Sequence, residues 1–482
     1  MVLLAYLMVL PLIICVWYKE SLQNYLAFII PMVVLFGFGK VLNSEKAESN
    51  QILAREGFVI VGLSWIIMAL FGAIPFMISG NIPNFFDAFF ESASGFTTTG
   101  STILNDYSNL DHSIMFWRSF AHWIGGMGVL VFILAIIPES KDGSSIHILR
   151  AESAGPTVGK LVSKMRATSR ILYLIYLFLT AALVLILWLG PDTKMTLFNS
   201  LIYSFGTAGT GGFGIDNGCL ETYAASTQYI VATFMLIFAI NFSMFYLILI
   251  GNFKEVLKNE ELRSFIIIVI LSVSFITLNI YSFFKNNEVY SSLTFEQSFR
   301  YAYFHVASII STTGYSISNF IIWPTASIMI LIFLTMTGAC AGSTAGGLKL
   351  TRLNILVKSF ASKIRNMVSP RKVDVIKIDG KAMDKNQVST VDSYFAVYVT
   401  VLIVACFLIS FDGFDFTTTF TASLTCVSNV GPGYTNLVGP YGSFDCFSYF
   451  SKFVLTIVMI AGRLEFFPIL VLFSPKTWKK RI

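Results

Sequence analysis

Residues 93–102, Ala-Ser-Gly-Phe-Thr-Thr-Thr-Gly-Ser-Thr, follow an apolar segment, 84–92, that is too short to cross a bilayer. At about 1.5 Å per helical residue, a dozen positions cover only half of the hydrocarbon core. A half-helix ending in threonine and glycine would leave carbonyls bare in lipid, so it is tolerated only where it is buried in protein or lines a water-filled cavity. The chain repeats the device three more times: Phe-Gly-Thr-Ala-Gly-Thr-Gly-Gly-Phe at 205–213, Ser-Ile-Ile-Ser-Thr-Thr-Gly-Tyr at 308–315, and Cys-Val-Ser-Asn-Val-Gly-Pro-Gly at 426–433. Aligning the glycines pairs Gly100, Gly211, Gly314 and Gly431 at near-equal spacing. The unit is membrane helix, half-helix, glycine loop, membrane helix, four times over.

Of 482 residues, 55% are hydrophobic and only 12% are charged, more apolar surface than a soluble core can bury. The chain reads as an all-α polytopic membrane protein forming one bundle around a central pathway. Residues 1–18 lack a basic leading region and a small-residue cleavage site, so they are expected to be a retained helix. The six cysteines have no metal-site or redox spacing, and a bridge between Cys219 and Cys446 is not favoured; the four histidines are scattered.

In order, residues 1–43 are expected to form two peripheral transmembrane helices (2–18 and 22–42) joined by the polar turn at Lys19 and Glu20. Repeat one follows at 57–138, with its second helix from His112 to Pro138. A basic linker occupies 139–170, and repeat two 171–257, with half-helix 196–207 and second helix 228–250. Repeat three spans 264–357, with half-helix 297–311. A second basic linker occupies 358–392. Repeat four spans 393–474, with half-helix 416–427 and last helix 447–474, before the basic tail 475–482. Lys and Arg are absent between Asp412 and Asp445. The positive-inside rule therefore places the basic linkers and both termini in the cytoplasm and turns the four glycine loops outward.

A filter for a monovalent cation replaces the hydration shell with oxygens, and backbone carbonyls do this without a charge that would hold the ion too tightly. Glycine admits the backbone conformations that turn carbonyls toward one axis. Half-helix C-termini aim their partly negative ends at the cavity beneath. The candidate ion-binding residues are Thr98, Thr99 and Gly100; Gly209, Thr210 and Gly211; Thr312, Thr313 and Gly314; and Asn429, Val430 and Gly431. A lone copy would read equally well as a packing patch of small residues.

The run from Thr337 to Gly347 carries no bulky side chain. Gly338, Gly342 and Gly346 are four apart, as in a helix-packing face. The absence of bulk on every face favours an unwound loop instead, a constriction beneath the filter built from Gly338, Gly342, Ser343, Thr344, Gly346 and Gly347. Arg463, expected near the middle of the last helix, would either bond the carbonyls freed by that loop and oppose cations, or cap a neighbouring helix end. Glu465, two positions on, is not placed to pair with it along a helix. In repeat one, Arg118 and His122 share a face, as do Asp87 and Glu91, which reads as a buried structural ion pair rather than a transport element. No HExxH, GxSxG or intramembrane aspartate pair supports an enzyme. A proton-coupled transporter would rest on Glu465 alone.

Ser94-Gly-Phe-Thr-Thr-Thr-Gly100, Trp117-Arg-Ser, His122-Trp-Ile-Gly-Gly-Met-Gly128, Thr210-Gly-Gly-Phe213, Ser311-Thr-Thr-Gly-Tyr315, the 338–347 run, Asn429-Val-Gly-Pro-Gly433 and Gly462-Arg-Leu-Glu465 together resemble the Trk/Ktr/HKT superfamily of potassium and sodium transporters. The two leading helices match its TrkH-type membrane subunit. The resemblance implies four helix, pore half-helix, helix repeats around one pore, and potassium selectivity set in part by the first filter glycine, since members with serine there tend to carry sodium. It also implies gating by the 338–347 loop, with Arg463 as its latch. It further implies a homodimer in a prokaryotic inner membrane and a cytosolic TrkA-like partner of the RCK type that holds the nucleotide (ATP/ADP or NAD). On this reading the chain itself carries no cofactor, K+ being the transported ion, and its partners include membrane lipid but no nucleic acid. The alternative function is a sodium-preferring or weakly selective cation transporter of the same family. The segments 214–217 and 316–319 depart from the family's usual pattern after the loops.

Overall fold

The computed structural model describes residues 1–44, 54–107, 109–128, 165–216, 218–286, 293–369 and 375–478. Among the described residues the regular structure is helical apart from a two-stranded hairpin. Helices α1 (Val2–Leu7) and α2 (Val9–Tyr18) are separated at Met8, and α3 (Leu22–Ser44) returns beside them. The turn between α2 and α3 puts Lys19 in the left-handed region. Glu20 in that turn accepts from the Ser113 backbone N–H at 2.9 Å and from Asn24 Nδ2 at 2.9 Å. A carboxylate at the free N–H groups of a helix start is favourable, so the leading pair is fastened to the first turn of α6 (His112–Gly126).

Each repeat opens with a long apolar helix. These are α4 (Ala54–Ile78), α7 (Met165–Trp188), α12 (Glu260–Lys285) and α16 (Lys385–Ile409), and all contain segments long and apolar enough to span a membrane, as does α3. The half-helices follow: α5 (Phe85–Phe96), α8 (Leu197–Gly209), α13 (Phe295–Ile310) and α17 (Phe416–Ser428). Each starts on a side-chain cap. Asn84, Thr196, Thr294 and Asp415 accept from backbone N–H groups of the first turn, each such cap contributing about 1 kcal/mol. Their 12 to 16 residues stop well short of a bilayer crossing, and every residue of α5 from Ala88 to Phe96 is buried.

The second helices depart from the continuous spans expected from hydropathy. In repeat two, α9 (Ala225–Phe238) and α10 (Phe242–Leu249) meet at a 90° bend, where the expected helix 228–250 is broken. The cause is Asn241, whose side chain accepts from the Ser243 N–H and restarts the helix. In repeat four, α18 (Tyr449–Arg463) ends at the arginine, and α19 (Phe467–Phe473) restarts after Glu465 and Phe466, both left-handed, with Pro468 in its first turn. Arg463 therefore closes a helix rather than sitting mid-span. In repeat three, α14 (Thr325–Thr337) and α15 (Leu350–Val368) flank an unwound stretch. In repeat one, α6 ends at Gly126, with Gly128 at positive φ, so the helix expected as far as Pro138 stops short; residues 129–164, with most of the linker 139–170, lie outside the described residues.

The stretch 358–392 expected as a linker is helical at both ends, since α15 runs through Lys358 to Val368 and α16 starts at Lys385. Between them β1 (Lys377–Ile378) and β2 (Lys381–Ala382) pair antiparallel. Asp379 in the hairpin turn accepts from the Glu260 N–H at 2.7 Å and ties the hairpin to the start of α12. A further short helix, α11 (Phe253–Lys258), joins α10 to α12.

Candidate ion pathway

The four half-helices end in one backbone motif. Thr98, Thr210, Thr312 and Asn429 are left-handed, with φ of 54°, 55°, 59° and 55°. The N–H one residue further reaches back to the helix, from Thr99 to Ser94 O (2.9 Å), Gly211 to Gly206 O (2.8 Å), Thr313 to Ser308 O (2.8 Å) and Val430 to Thr425 O (3.0 Å). This is the Schellman closure, and it usually takes glycine at the left-handed position. Three β-branched threonines hold it here, a strained arrangement of the kind that concentrates at functional sites.

One residue on, Gly100, Gly212, Gly314 and Gly431 have positive φ (81°, 81°, 83° and 105°). A Cβ on Gly100 would lie 1.9 Å from Gly211 O, and one on Gly212 would lie 1.9 Å from Thr313 O. On Gly314 it would lie 2.1 Å from Val430 O, and on Gly431 2.8 Å from Thr99 O. Each glycine thus abuts the carbonyl of the next loop, and the fourth returns to the first. The contacts close a ring.

This ring corrects the sequence alignment in repeat two. Gly212, not Gly211, is the counterpart of Gly100, Gly314 and Gly431, while Gly209 is the last residue of α8. Three glycines in four positions made the register ambiguous. The Gly-aromatic pair shared by Gly212-Phe213 and Gly314-Tyr315 is the sequence signal that resolves it. A cavity of about 40 Å³ is bounded by Gly100, Gly212, Gly314 and Gly431, and none of the residues lining it is charged.

On the helix side of the ring lies the unwound stretch 338–349. Gly338, Gly342 and Gly347 have positive φ, and the loop folds back so that a Cβ on Gly338 would sit 2.4 Å from Gly346 O. Repeats two, three and four hold it directly, and Arg463 links it to repeat one. Arg463 donates to Thr344 O (2.7 Å) and to Gly125 O and Gly126 O at the end of α6 (2.6 and 2.7 Å), charge-assisted bonds at a helix terminus where a cation is favoured. Repeat two clasps the loop at its 90° break, with Cys340 N–H on Ala239 O (3.2 Å) and Phe242 N–H on Gly342 O (3.0 Å). Glu261 at the start of α12 accepts from the Ala341 and Thr351 N–H groups (2.7 and 3.1 Å). From the glycine turns, Thr312 Oγ1 accepts from the Gly346 N–H at 2.7 Å, and a Cβ on Gly346 would lie 2.4 Å from Ser428 O. The loop is thus tied to three repeats directly and to repeat one through Arg463.

The chain matches, over residues 24–480, the family model described as TrkH, cation transport protein. It belongs to the TrkH family. It is 33% identical over 479 residues to the Trk system potassium uptake protein TrkH of Salmonella typhimurium, covering 98% of this chain and 96% of that protein. It is 29% identical over 479 residues to the Trk system potassium uptake protein TrkG of Escherichia coli K12, covering 97% and 94%. The crystal structure of the potassium transporter TrkH from Vibrio parahaemolyticus aligns at a TM-score of 0.86 and 30% identity, over 99% of this chain and 97% of that one. The TrkH family relatives are named as transporters, and this chain is an integral membrane transport protein, not an enzyme.

Several polar contacts of this TrkH family member escaped sequence reasoning. Arg118 pairs with Glu91 at 2.7 Å, both buried, as the spacing in repeat one led one to expect. Asp87, however, turns to Lys452 on α18 at 2.6 Å. Glu465 pairs with Arg352, whose guanidinium lies 4.0 Å over the Tyr394 ring. These partners are remote in sequence, so no local spacing announces them. Cys219 and Cys446 are free thiols.

Proposed function

We propose that this chain carries potassium across the cytoplasmic membrane of a prokaryote, with the four glycine turns as its selectivity filter. The observation that carries the reading is the closed ring of glycine to carbonyl contacts. Four oxygen-rich turns meet around one axis, their mouth bears no charged side chain, and a dehydrated monovalent cation is the ligand such an arrangement suits. The names of the TrkH and TrkG relatives favour potassium. The ion-binding turns are Thr98 to Gly100, Thr210 to Gly212, Thr312 to Gly314 and Asn429 to Gly431.

Below them the loop 338–347, held by Arg463, is the gate in its closed position. The positive charge at the constriction raises the barrier to a cation, and the glycines allow the loop to rearrange. Basic residues of α15 and the hairpin, with the tail, favour the cytoplasm for that side by the positive-inside rule. There a nucleotide-binding regulatory subunit would act on the gate. The functional unit is a homodimer.

The test is rubidium-86 uptake into proteoliposomes of the purified chain, competed separately by potassium, sodium and lithium. Uptake blocked by potassium but hardly by sodium is the expected result, either from the chain alone or once the nucleotide-binding subunit is added. Equal competition by sodium would sink the potassium filter. Absence of uptake in both conditions would sink the transport reading itself.

A further inference from the structure

His122 is fully buried on α6, behind the second glycine turn, and nothing in the filter reading above uses it. Its Nδ1 lies 2.7 Å from Gly95 O in the first half-helix, and its Nε2 lies 3.3 Å from the Phe213 nitrogen, one residue past Gly212. A carbonyl only accepts and a backbone N–H only donates. The imidazole is therefore neutral, with its proton on Nδ1, donating to Gly95 and accepting from Phe213. One rigid ring ties the half-helix of repeat one to the filter strand of repeat two.

The contact is also steric. A Cβ on Gly211 would fall 2.2 Å from His122 Cγ, so the filter backbone lies directly against the imidazole. Gly211 in turn supplies the carbonyl on which Gly100 rests, so displacement of one is felt by the other. Phe213 is held from other sides as well. Its ring centroid is 4.3 Å from that of His122 and 4.2 Å from the Arg118 guanidinium, and its carbonyl accepts from the Tyr315 hydroxyl at 3.2 Å. Arg118 is fixed by Glu91, which also accepts from the Ile103 N–H at 3.0 Å on the far side of the first turn.

We propose that His122 is a positioning residue for cation discrimination: it sets the separation of the first two filter turns through Gly95, Gly211 and Phe213 without touching the ion. Potassium and sodium differ mainly in size, so selectivity that depends on the placement of fixed oxygens is sensitive to whatever holds those oxygens apart. A core histidine with no such role would matter to folding but not to the relative preference for two ions. The inference rests on the filter reading above.

Two variants separate the contributions. His122→Asn keeps a donor near the Nδ1 position for Gly95 and loses the acceptor for Phe213. His122→Leu fills space and loses both. The experiment is rubidium-86 uptake in proteoliposomes, with potassium and sodium competition curves for wild type and both variants, alongside size-exclusion profiles and thermal stability in detergent. The expected result is a rise in the potency of sodium relative to potassium of about fivefold for Asn, the worth of one hydrogen bond, and more for Leu. Unchanged relative potency in well-inserted protein overturns the proposal, as does uptake that falls equally for all ions. If the Leu variant fails to insert, the Asn variant decides. If wild type itself fails to discriminate, the filter reading falls and this inference with it.

Discussion

The Gly346 N–H donates to the Thr312 hydroxyl across 2.7 Å, joining the 338–347 loop directly to the third glycine turn. Thr312 occupies the left-handed position of its turn, so the residue that closes the half-helix also carries the acceptor for the loop. Removing the hydroxyl leaves the Gly346 N–H buried without a partner, a cost of about 1–2 kcal/mol to the closed arrangement. Thr312→Val is expected to raise partner-free rubidium flux by roughly five- to thirtyfold, and Thr312→Ser, which retains the oxygen, to stay near wild type. Equal flux in all three proteins would mean that this bond does not hold the gate.

Arg463 joins Thr344 to the end of α6 with three charge-assisted bonds. Arg463→Ala removes both the bonds and the positive charge. Flux should rise at least about tenfold, with the order of competition by potassium, sodium and lithium preserved, because the glycine turns are left intact. Transport abolished in normally inserted protein would show that the arginine is not a latch.

Gly100 and Gly212 are equivalent members of the ring, each with a carbonyl 1.9 Å from where a Cβ would be. Gly100→Ser and Gly212→Ser are therefore expected to erode potassium over sodium discrimination to a similar degree, by roughly tenfold or more, since each must push a neighbouring carbonyl aside. Competition curves measure it directly. A Gly212→Ser protein with wild-type discrimination would refute the register assigned to repeat two.

Arg118 and Glu91 are 1% and 0% exposed. Breaking such a pair by Arg118→Met leaves a carboxylate buried without its counter-charge, at a cost of about 3–5 kcal/mol. The variant should show a markedly lower melting temperature in detergent or fail to accumulate, while Glu91→Gln, which still offers an acceptor to the Ile103 N–H, should lose less. Thermal unfolding followed by tryptophan fluorescence distinguishes them.

The fourfold plan was legible because half-length apolar segments ending in glycine are hard to place in a bilayer any other way, and because the device recurs. The loop at 338–347 was legible for a similar reason, having no bulky side chain on any face. The breaks at Ala239 to Asn241 and Leu464 to Phe466 were not, because the first stands in an apolar run that passes for a continuous span, and the second has apolar stretches on both sides of Arg463 and Glu465. Their cause is one capping asparagine in the first case, and two left-handed residues before a proline in the second. The placement of Gly212 was hidden by its neighbours Gly209 and Gly211, since composition cannot say which of three glycines has positive φ. The ties from Glu261, Thr312 and His122 to the loop and the turns join residues far apart in the chain, and only folding brings them together.

The ring is closed by four segments that differ in sequence, three threonines and an asparagine at one level, with glycine above each. In an assembly of identical subunits any substitution is made four times at once, and the site changes wholesale. Here a single codon alters one quadrant and leaves three standing. Ion preference in such a protein can drift by increments, each small enough for a cell to survive, and neighbouring specificities lie one mutation apart rather than across a gap.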